Sequence, residues 1–413
     1  MTNSFTRRIL AGLTVVAVSG ATLAAGASGS QADIVNGGWT GTWGAALVPP
    51  STGGVSNRGL TNESIRMSVR TSVAGQAVRV RLSNSFGVQA AKLGHATVAL
   101  PNTSTPERHD VDPATIRELT FAGSLSGTIY RGGDLLSDPV SLAVPALQEL
   151  IVTLYLPVAT GSVAWHWQAR QNTYVYAGDQ TMNAEGTGFT LTTTSWYLLA
   201  GVDVLNTSAY GSVVVMGDSI SDGFTSSFGS NTRWPDYLAE RIVNTTPSLL
   251  DPGVINQSIS GNNTVRDSSI GANGKSAMSR VDTDVFGQTG VRSVIVQLGT
   301  NDVLNDVPAA EIIEGLHQLA VQMKERGLRT VALTIVPFEG WTTWTPEREA
   351  VRQEVNNWLR SSTVFGVVID LDTVLADPAN PTRIRAEYDS GDHIHPNDVG
   401  SQAMAAAIPL WRI

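Results

Sequence analysis

Val213-Val214-Val215-Met216-Gly217-Asp218-Ser219-Ile220 is the stretch on which the reading of the fold turns. Its apolar start is too short for a helix and too continuous for a strand with one wet face, which leaves a strand buried on both faces. Three later runs share that character: Val291 to Leu298, Thr330 to Val336 and Val367 to Leu371. Between them lie segments of helical period, Trp234 to Val243, Ala309 to Arg326 and Pro346 to Leu359. In the last of these Thr345 is the N-cap, Pro346 begins the first turn, and Val351, Val355, Trp358 and Leu359 share a face. Alternating buried strands and helices predict a doubly wound α/β layer, in which ligands bind beyond the carboxyl ends of the strands.

Upstream the period changes to two. Ile65, Met67 and Val69 alternate with polar neighbours, as do Val78, Val80 and Leu82, and Ala74-Gly75-Gln76 lies between the two runs. That pattern predicts an antiparallel hairpin over residues 64 to 84. Leu150 to Leu156, Trp165-His166-Trp167 and Tyr174-Val175-Tyr176 continue the alternation between Gly, Pro and Asn turns, the spacing of an all-β sandwich or jelly roll. Three segments follow: a signal peptide over 1–32, a β-rich domain over 33–205 and an α/β domain over 206–413. The first carries Arg7 and Arg8 before an apolar run and ends near Ser30-Gln31-Ala32, so the protein is expected to be secreted without stable membrane insertion. Thr6-Arg7-Arg8-Ile9-Leu10 also resembles a twin-arginine signal, which leaves the export route open.

Composition narrows the chemistry. The 413 residues carry a formal net charge of −9, and removing residues 1–32 takes away two arginines and no acid. An acidic chain without basic blocks presents no surface for nucleic acid. Cys is absent, so disulfides, Cys-based zinc sites and a thiol nucleophile are excluded together.

Polar residues collect at the expected strand ends. Ser219, after Gly217-Asp218, is placed to project above the sheet as a nucleophile, or else belongs to a solvated Gly-Asp turn. Gly299-Thr300-Asn301-Asp302 follows the Val291 to Leu298 run, and the Asn301 amide there can donate to a developing oxyanion or simply form a turn. Gly261, within Asn256 to Asn262, lacks a side chain and can bring a backbone N–H close to a ligand, or else is a mobile glycine turn. Asp392-His393-Ile394-His395-Pro396 gathers two of the chain's six histidines beside an acid. An imidazole held by a carboxylate is the general-base arrangement, and Asp392 and His395, three apart across a turn, can make that contact or else belong to a solvated turn. No metal-ligand spacing accompanies them, so neither metal nor cofactor is expected.

Gly217-Asp218-Ser219, Gly261, Gly299-Thr300-Asn301-Asp302 and the Asp392 to His395 turn follow the order of the four motif blocks of the GDSL, or SGNH, hydrolases. The second half of the chain resembles that family. The resemblance implies a flavodoxin-like three-layer α/β/α fold that hydrolyses esters. It also implies Ser219 as nucleophile, His395 as base and Asp392 as its orienter, with the Ser219 and Gly261 N–H groups and the Asn301 amide as oxyanion hole. His393 matches no catalytic position. In the first half, Trp39-Thr40-Gly41-Thr42-Trp43, Gly59-Leu60-Thr61-Asn62 and Arg81-Leu82-Ser83-Asn84-Ser85-Phe86-Gly87 resemble the β-rich extension of a secreted bacterial arylesterase/acylhydrolase branch, some of whose members accompany xylan-degrading enzymes.

The expected activity is a serine esterase working through an acyl-enzyme on short acyl esters, of acetylated polysaccharide or aryl alcohols, since no apolar lid helix is evident. An extracellular lipase or phospholipase would use the same residues, and a non-catalytic glycan-binding protein is the alternative of another class. Trp341 and Trp344 follow a strand end, where they either wall the substrate pocket or pack against the β half, whereas Trp165 and Trp167 are expected to pack between sheets more than to meet sugar.

Overall fold

The computed structural model describes residues 38–105, 110–245 and 251–413. The expected signal peptide lies outside the described residues.

The N-terminal half is built from antiparallel sheets. One joins Trp39–Gly44, Leu199–Leu205, Gly75–Ser83 and Asp134–Leu136, with Val140–Val144 also on Gly75–Ser83. A six-stranded sheet runs in the order Leu191–Thr193, Thr173–Ala177, Glu63–Arg70, Glu149–Leu156, His95–Ala99 and Arg117–Glu118. Apolar residues of both sheets meet in one buried cluster, Ile65, Met67 and Val152 from the second with Val80, Leu82 and Val202 from the first.

The hairpin expected over 64 to 84 does not form. Glu63–Arg70 and Gly75–Ser83 lie in different sheets, and residues 71 to 74 carry the chain from one to the other. Period-two alternation reports only that each strand has one core face. Two strands facing each other across a shared core satisfy it as well as two strands side by side. The crossing is held by Thr42, whose Oγ1 accepts from Ser72 and Val73 N–H at 2.9 and 3.0 Å.

The C-terminal half contains a parallel sheet in the order Gly253–Asn256, Ser212–Gly217, Val291–Gln297, Arg329–Leu333 and Val367–Ile369. Four strands coincide with the four apolar runs, and both faces are covered, which is why those runs are continuous. Val213 and Val215 pack with Trp234, Leu238 and Met404, from helices Trp234–Asn244 and Asp398–Ala407. Val214 and Met216 point the other way, among Ile312, Leu319, Val355 and Leu359 of helices Ala309–Glu325 and Pro346–Ser361. Thr345 Oγ1 accepts from Arg348 N–H to cap the latter helix.

In chain order the sheet reads 2-1-3-4-5, so the topology reverses between Ser212–Gly217 and Val291–Gln297. Crossover connections leave these two strands in opposite directions and open a crevice beyond their carboxyl ends. The outermost strand, Gly253–Asn256, lies against the N-terminal half: Val254 N–H donates to Ser72 Oγ at 2.8 Å. Gly253 is so close to Gly41 that a Cβ there would fall 2.0 Å from the Gly41 carbonyl oxygen.

Candidate active site

Ser219 opens a single helical turn, Ser219–Asp222, directly after its strand. Asp218 caps that turn by accepting from Ile220 N–H at 3.0 Å, which leaves the Ser219 N–H free to face the crevice. Burial pushes the Asp218 carboxyl up to about 6, against the pull of the Ile220 N–H and the neighbouring His395, Gln297 and Thr300. The Ser219 side chain meets the C-terminal turn, where His395 Nε2 stands 2.8 Å from Ser219 Oγ. On the other side of the ring His395 Nδ1 stands 2.6 Å from Asp392 Oδ2.

The Asp392 turn is self-supporting. Asp392 Oδ1 accepts from Ile394 and His395 N–H at 3.1 and 2.9 Å. Burial alone would raise the Asp392 carboxyl, but the His395 hydrogen bond and charge, with those two N–H groups, hold it well below the usual carboxylate range. A carboxylate on Nδ1 selects the tautomer with hydrogen there, leaving Nε2 to accept from the serine hydroxyl. Thr225 Oγ1 donates to Pro396 O at 2.9 Å and ties this turn to the serine loop. His393 belongs to a separate pair, its Nδ1 2.5 Å from Asp389 Oδ2, and its side chain is half exposed.

Gly261 adopts φ +81°, which favours glycine, and a Cβ on it would meet the Asn273 side chain at 2.5 Å unless that side chain moved. Among the described residues the N–H groups of Ser219 and Gly261 have no hydrogen-bond acceptor. Asn301 lies in the short helix Thr300–Leu304 and spends one amide hydrogen on Asn262 O at 3.0 Å, keeping the other available. Asp302 fastens the same two loops together, accepting from Thr264 and Val265 N–H at 2.7 and 3.3 Å, and burial raises its carboxyl.

Ser219, Gly261, Asn301 and His395 line one cavity of about 220 Å³, walled by Trp167, Phe224 and Trp341. Phe224 leans on the His395 ring with centroids 4.9 Å apart, and Trp341 meets it edge-on at 6.2 Å. Trp344 does not line this cavity. Both indoles pack on the apolar cluster that includes Val355 and Leu359, but Trp341 alone of the two reaches the cavity, so the expected place of Trp344 in the pocket is corrected to a packing role. Trp167 reaches the cavity from the N-terminal half, its Nε1 donating to Ala272 O at 3.0 Å, while Trp165 packs on the β cluster.

Beneath the loops lie residues that carry no sequence motif. Arg280 is buried and donates to Gln257 O, Asn262 Oδ1, Gly217 O and Asp284 Oδ2, so it braces the Gly261 loop against the serine strand. Burial draws its guanidinium below the usual arginine range, against the pull of Asp284. Asp222 accepts from Ser260 N–H and Oγ–H at 2.9 and 2.7 Å. Among the described residues no group of three or more His, Asp or Glu side chains is arranged to hold a metal ion.

Residues 215–403 match the family model described as GDSL-like lipase/acylhydrolase. This half of the chain belongs to the GDSL-like lipase/acylhydrolase family. A GDSL-like acylhydrolase is a hydrolase of ester bonds, and the protein is one. Solved structures similar to this chain include a variant of an acetyl xylan esterase from Geobacillus stearothermophilus, with 23% identity over 48% of this chain and 93% of that one, TM-score 0.39. Another is a GDSL-like lipase from Bacteroides thetaiotaomicron, with 16% identity over 47% of this chain and 84% of that one, TM-score 0.34. No curated protein matches the chain.

Proposed function

We propose that this GDSL-like hydrolase is a secreted serine esterase acting through an acyl-enzyme on short acyl esters, such as acetylated polysaccharide or aryl esters. The observation that carries the reading is the continuous Ser219–His395–Asp392 contact at the mouth of a small aromatic-walled cavity. Ser219 is the nucleophile, His395 the base and Asp392 the group that orients it. His395 takes the hydroxyl proton as Oγ attacks the carbonyl carbon, then delivers it to the departing alcohol; a water molecule repeats the sequence on the acyl-enzyme. Ser219 N–H, Gly261 N–H and the spare Asn301 amide hydrogen receive the oxyanion.

A cavity of about 220 Å³ has room for a short acyl group beside Ser219. No helix among the described residues is long and apolar enough to cross a membrane. The same reading takes the 2-1-3-4-5 sheet with its two helix-covered faces as the flavodoxin-like three-layer fold. It takes the N-terminal sheets, residues 33–205, as a β-sandwich or jelly roll preceding the 206–413 hydrolase domain.

Initial hydrolysis rates of p-nitrophenyl esters from acetate to palmitate, wild type beside Ser219→Ala, test the proposal. A Ser219-dependent maximum at acetate or butyrate supports it. A maximum at long chains replaces it with a lipase, and no Ser219-dependent rate removes the acyl-enzyme.

A further inference from the structure

His166 comes from the N-terminal half, yet its imidazole ends beside the loops of the other half. It pairs through the two-residue strand Trp165–His166 with Trp196–Tyr197, and its side chain is only 4% exposed. Nδ1 stands 2.8 Å from Ala46 O, so the hydrogen on this nitrogen goes to a carbonyl of its own half. Nε2 stands 2.9 Å from Asp222 Oδ1, and the Asp222 side chain is equally buried. A carbonyl accepts only, so Nδ1 carries hydrogen toward Ala46; an ionised Asp222 then takes a second hydrogen from Nε2, which makes the ring an imidazolium. The Asp222 charge and hydrogen bond raise the affinity of this imidazole for its proton against the opposing effect of burial.

The other oxygen of Asp222 holds Ser260 twice, through N–H and Oγ–H. Ser260 immediately precedes Gly261, which lines the cavity with Ser219 and whose N–H has no acceptor among the described residues. Asp222 also closes the serine turn, its own N–H donating to Asp218 O. One carboxylate therefore sets the distance between the two loops that carry the backbone donors, and His166 fixes the rotamer of that carboxylate from outside the domain.

We infer that His166 is a positioning residue for ester hydrolysis, holding Asp222 so that Ser260 presents the Gly261 N–H to the oxyanion. The inference rests on the acyl-enzyme reading. It makes the N-terminal half a structural part of the active site rather than a tethered neighbour.

Two substitutions separate the ends of the imidazole. Gln places an amide nitrogen near the position of Nε2 and keeps a donor for Asp222, whereas Asn reaches only as far as Nδ1 and keeps the Ala46 contact. On p-nitrophenyl acetate, His166→Asn is expected to lose roughly ten- to a hundredfold in kcat with KM within about twofold, because misplacing one oxyanion donor affects the transition state alone. His166→Gln should stay within about threefold of wild type. Arg70→Ala is the control: Arg70 shares a cavity with His166 and Asp222, but among the described residues its side chain hydrogen-bonds only Leu147 O and Glu240. The substitution breaks the ion pair between the halves while leaving the His166–Asp222–Ser260 bonds in place, and its kcat should be unchanged. Wild-type kcat in His166→Asn, equal losses in Asn and Gln, or the same loss in Arg70→Ala would each overturn the assignment. If His166→Asn does not fold, Ser260→Ala, which removes one of the two bonds to Asp222, must lower kcat at constant KM or the inference fails. Full activity in Ser219→Ala would instead remove the underlying acyl-enzyme and is read in the same assay.

Discussion

His395 Nε2 lies 2.8 Å from Ser219 Oγ although 176 residues separate them along the chain. The contact is made where the sheet order reverses, so the topology that buries the four apolar runs also brings the serine loop and the histidine turn to one mouth. Ser219→Ala and His395→Ala are each expected to lower kcat by several powers of ten, with thermal midpoints close to wild type. Stopped assays on p-nitrophenyl acetate, with circular dichroism to show folding, check this; a folded Ser219→Ala protein with more than a tenth of wild-type kcat contradicts the mechanism.

Asn301 divides its amide between Asn262 O and the cavity. Asn301→Ala should reduce kcat roughly a hundred- to a thousandfold while KM changes little, the signature of a donor used only in the transition state. Steady-state kinetics across three ester substrates would show it, and a selective rise in KM would assign Asn301 to substrate binding instead.

Gly261→Ala carries a double cost, a positive φ and a Cβ 2.5 Å from the Asn273 side chain. The loop or the Asn273 side chain must move to admit it, so activity should fall at least tenfold. Gly261→Ala combined with Asn273→Gly removes the collision but leaves the backbone strain, and it should recover part of the rate. Identical kcat in the single and double variants would show that the collision is immaterial.

Trp341 and Trp344, three residues apart, are expected to separate cleanly. Trp341 lines the cavity beside His395, so Trp341→Ala should alter the preference among acetate, butyrate and hexanoate esters. Trp344→Ala should leave the preference intact and cost about 2 kcal/mol in urea unfolding, because its indole packs on the core. Equal effects on selectivity would place both rings at the substrate.

The pH dependence of stability has two opposing contributors near Ser219. Asp218, pushed up to about 6, binds its proton more tightly in the fold than in the unfolded chain. Its contribution is present below about pH 4 and lost as pH rises through about 6. Asp392, held low, contributes above the usual carboxylate range and is lost as pH falls below it. Asp218→Asn keeps a capping oxygen and should flatten the decline of the thermal midpoint between pH 4 and 7. Profiles that run parallel for wild type and variant would show that Asp218 does not titrate there.

Much of this arrangement can be read from the chain alone because its causes are local. A parallel strand covered on both faces must be apolar throughout, so Val213 to Met216 and Val291 to Leu298 announce themselves, and Ser219 and Asn301 are found by looking where they stop. The crossing at residues 71 to 74 is not legible, since alternation reports a strand's face and not its neighbour. Nor are the contacts that tie Asp222 to Ser260 and His166, or Arg280 to Gly217, Gln257 and Asn262, since those partners lie well separated along the chain and form no sequence pattern. Trp167 is hidden for a related reason: an aromatic in an alternating stretch is expected to pack, yet it falls in the bend just past the strand Trp165–His166 and lines the cavity beside Ser219.

The seam at Gly253–Asn256 has a further consequence. This strand terminates the parallel sheet on the side facing the first half, and Ser72 already occupies the Val254 N–H. Cut away from residues 38–205, the hydrolase half would expose a β-edge at Gly253–Asn256 beside a newly bared surface, the template on which chains add to one another. Its solubility thus depends on the half that precedes it, and a truncated enzyme is expected to associate edge to edge before its catalytic competence could be judged.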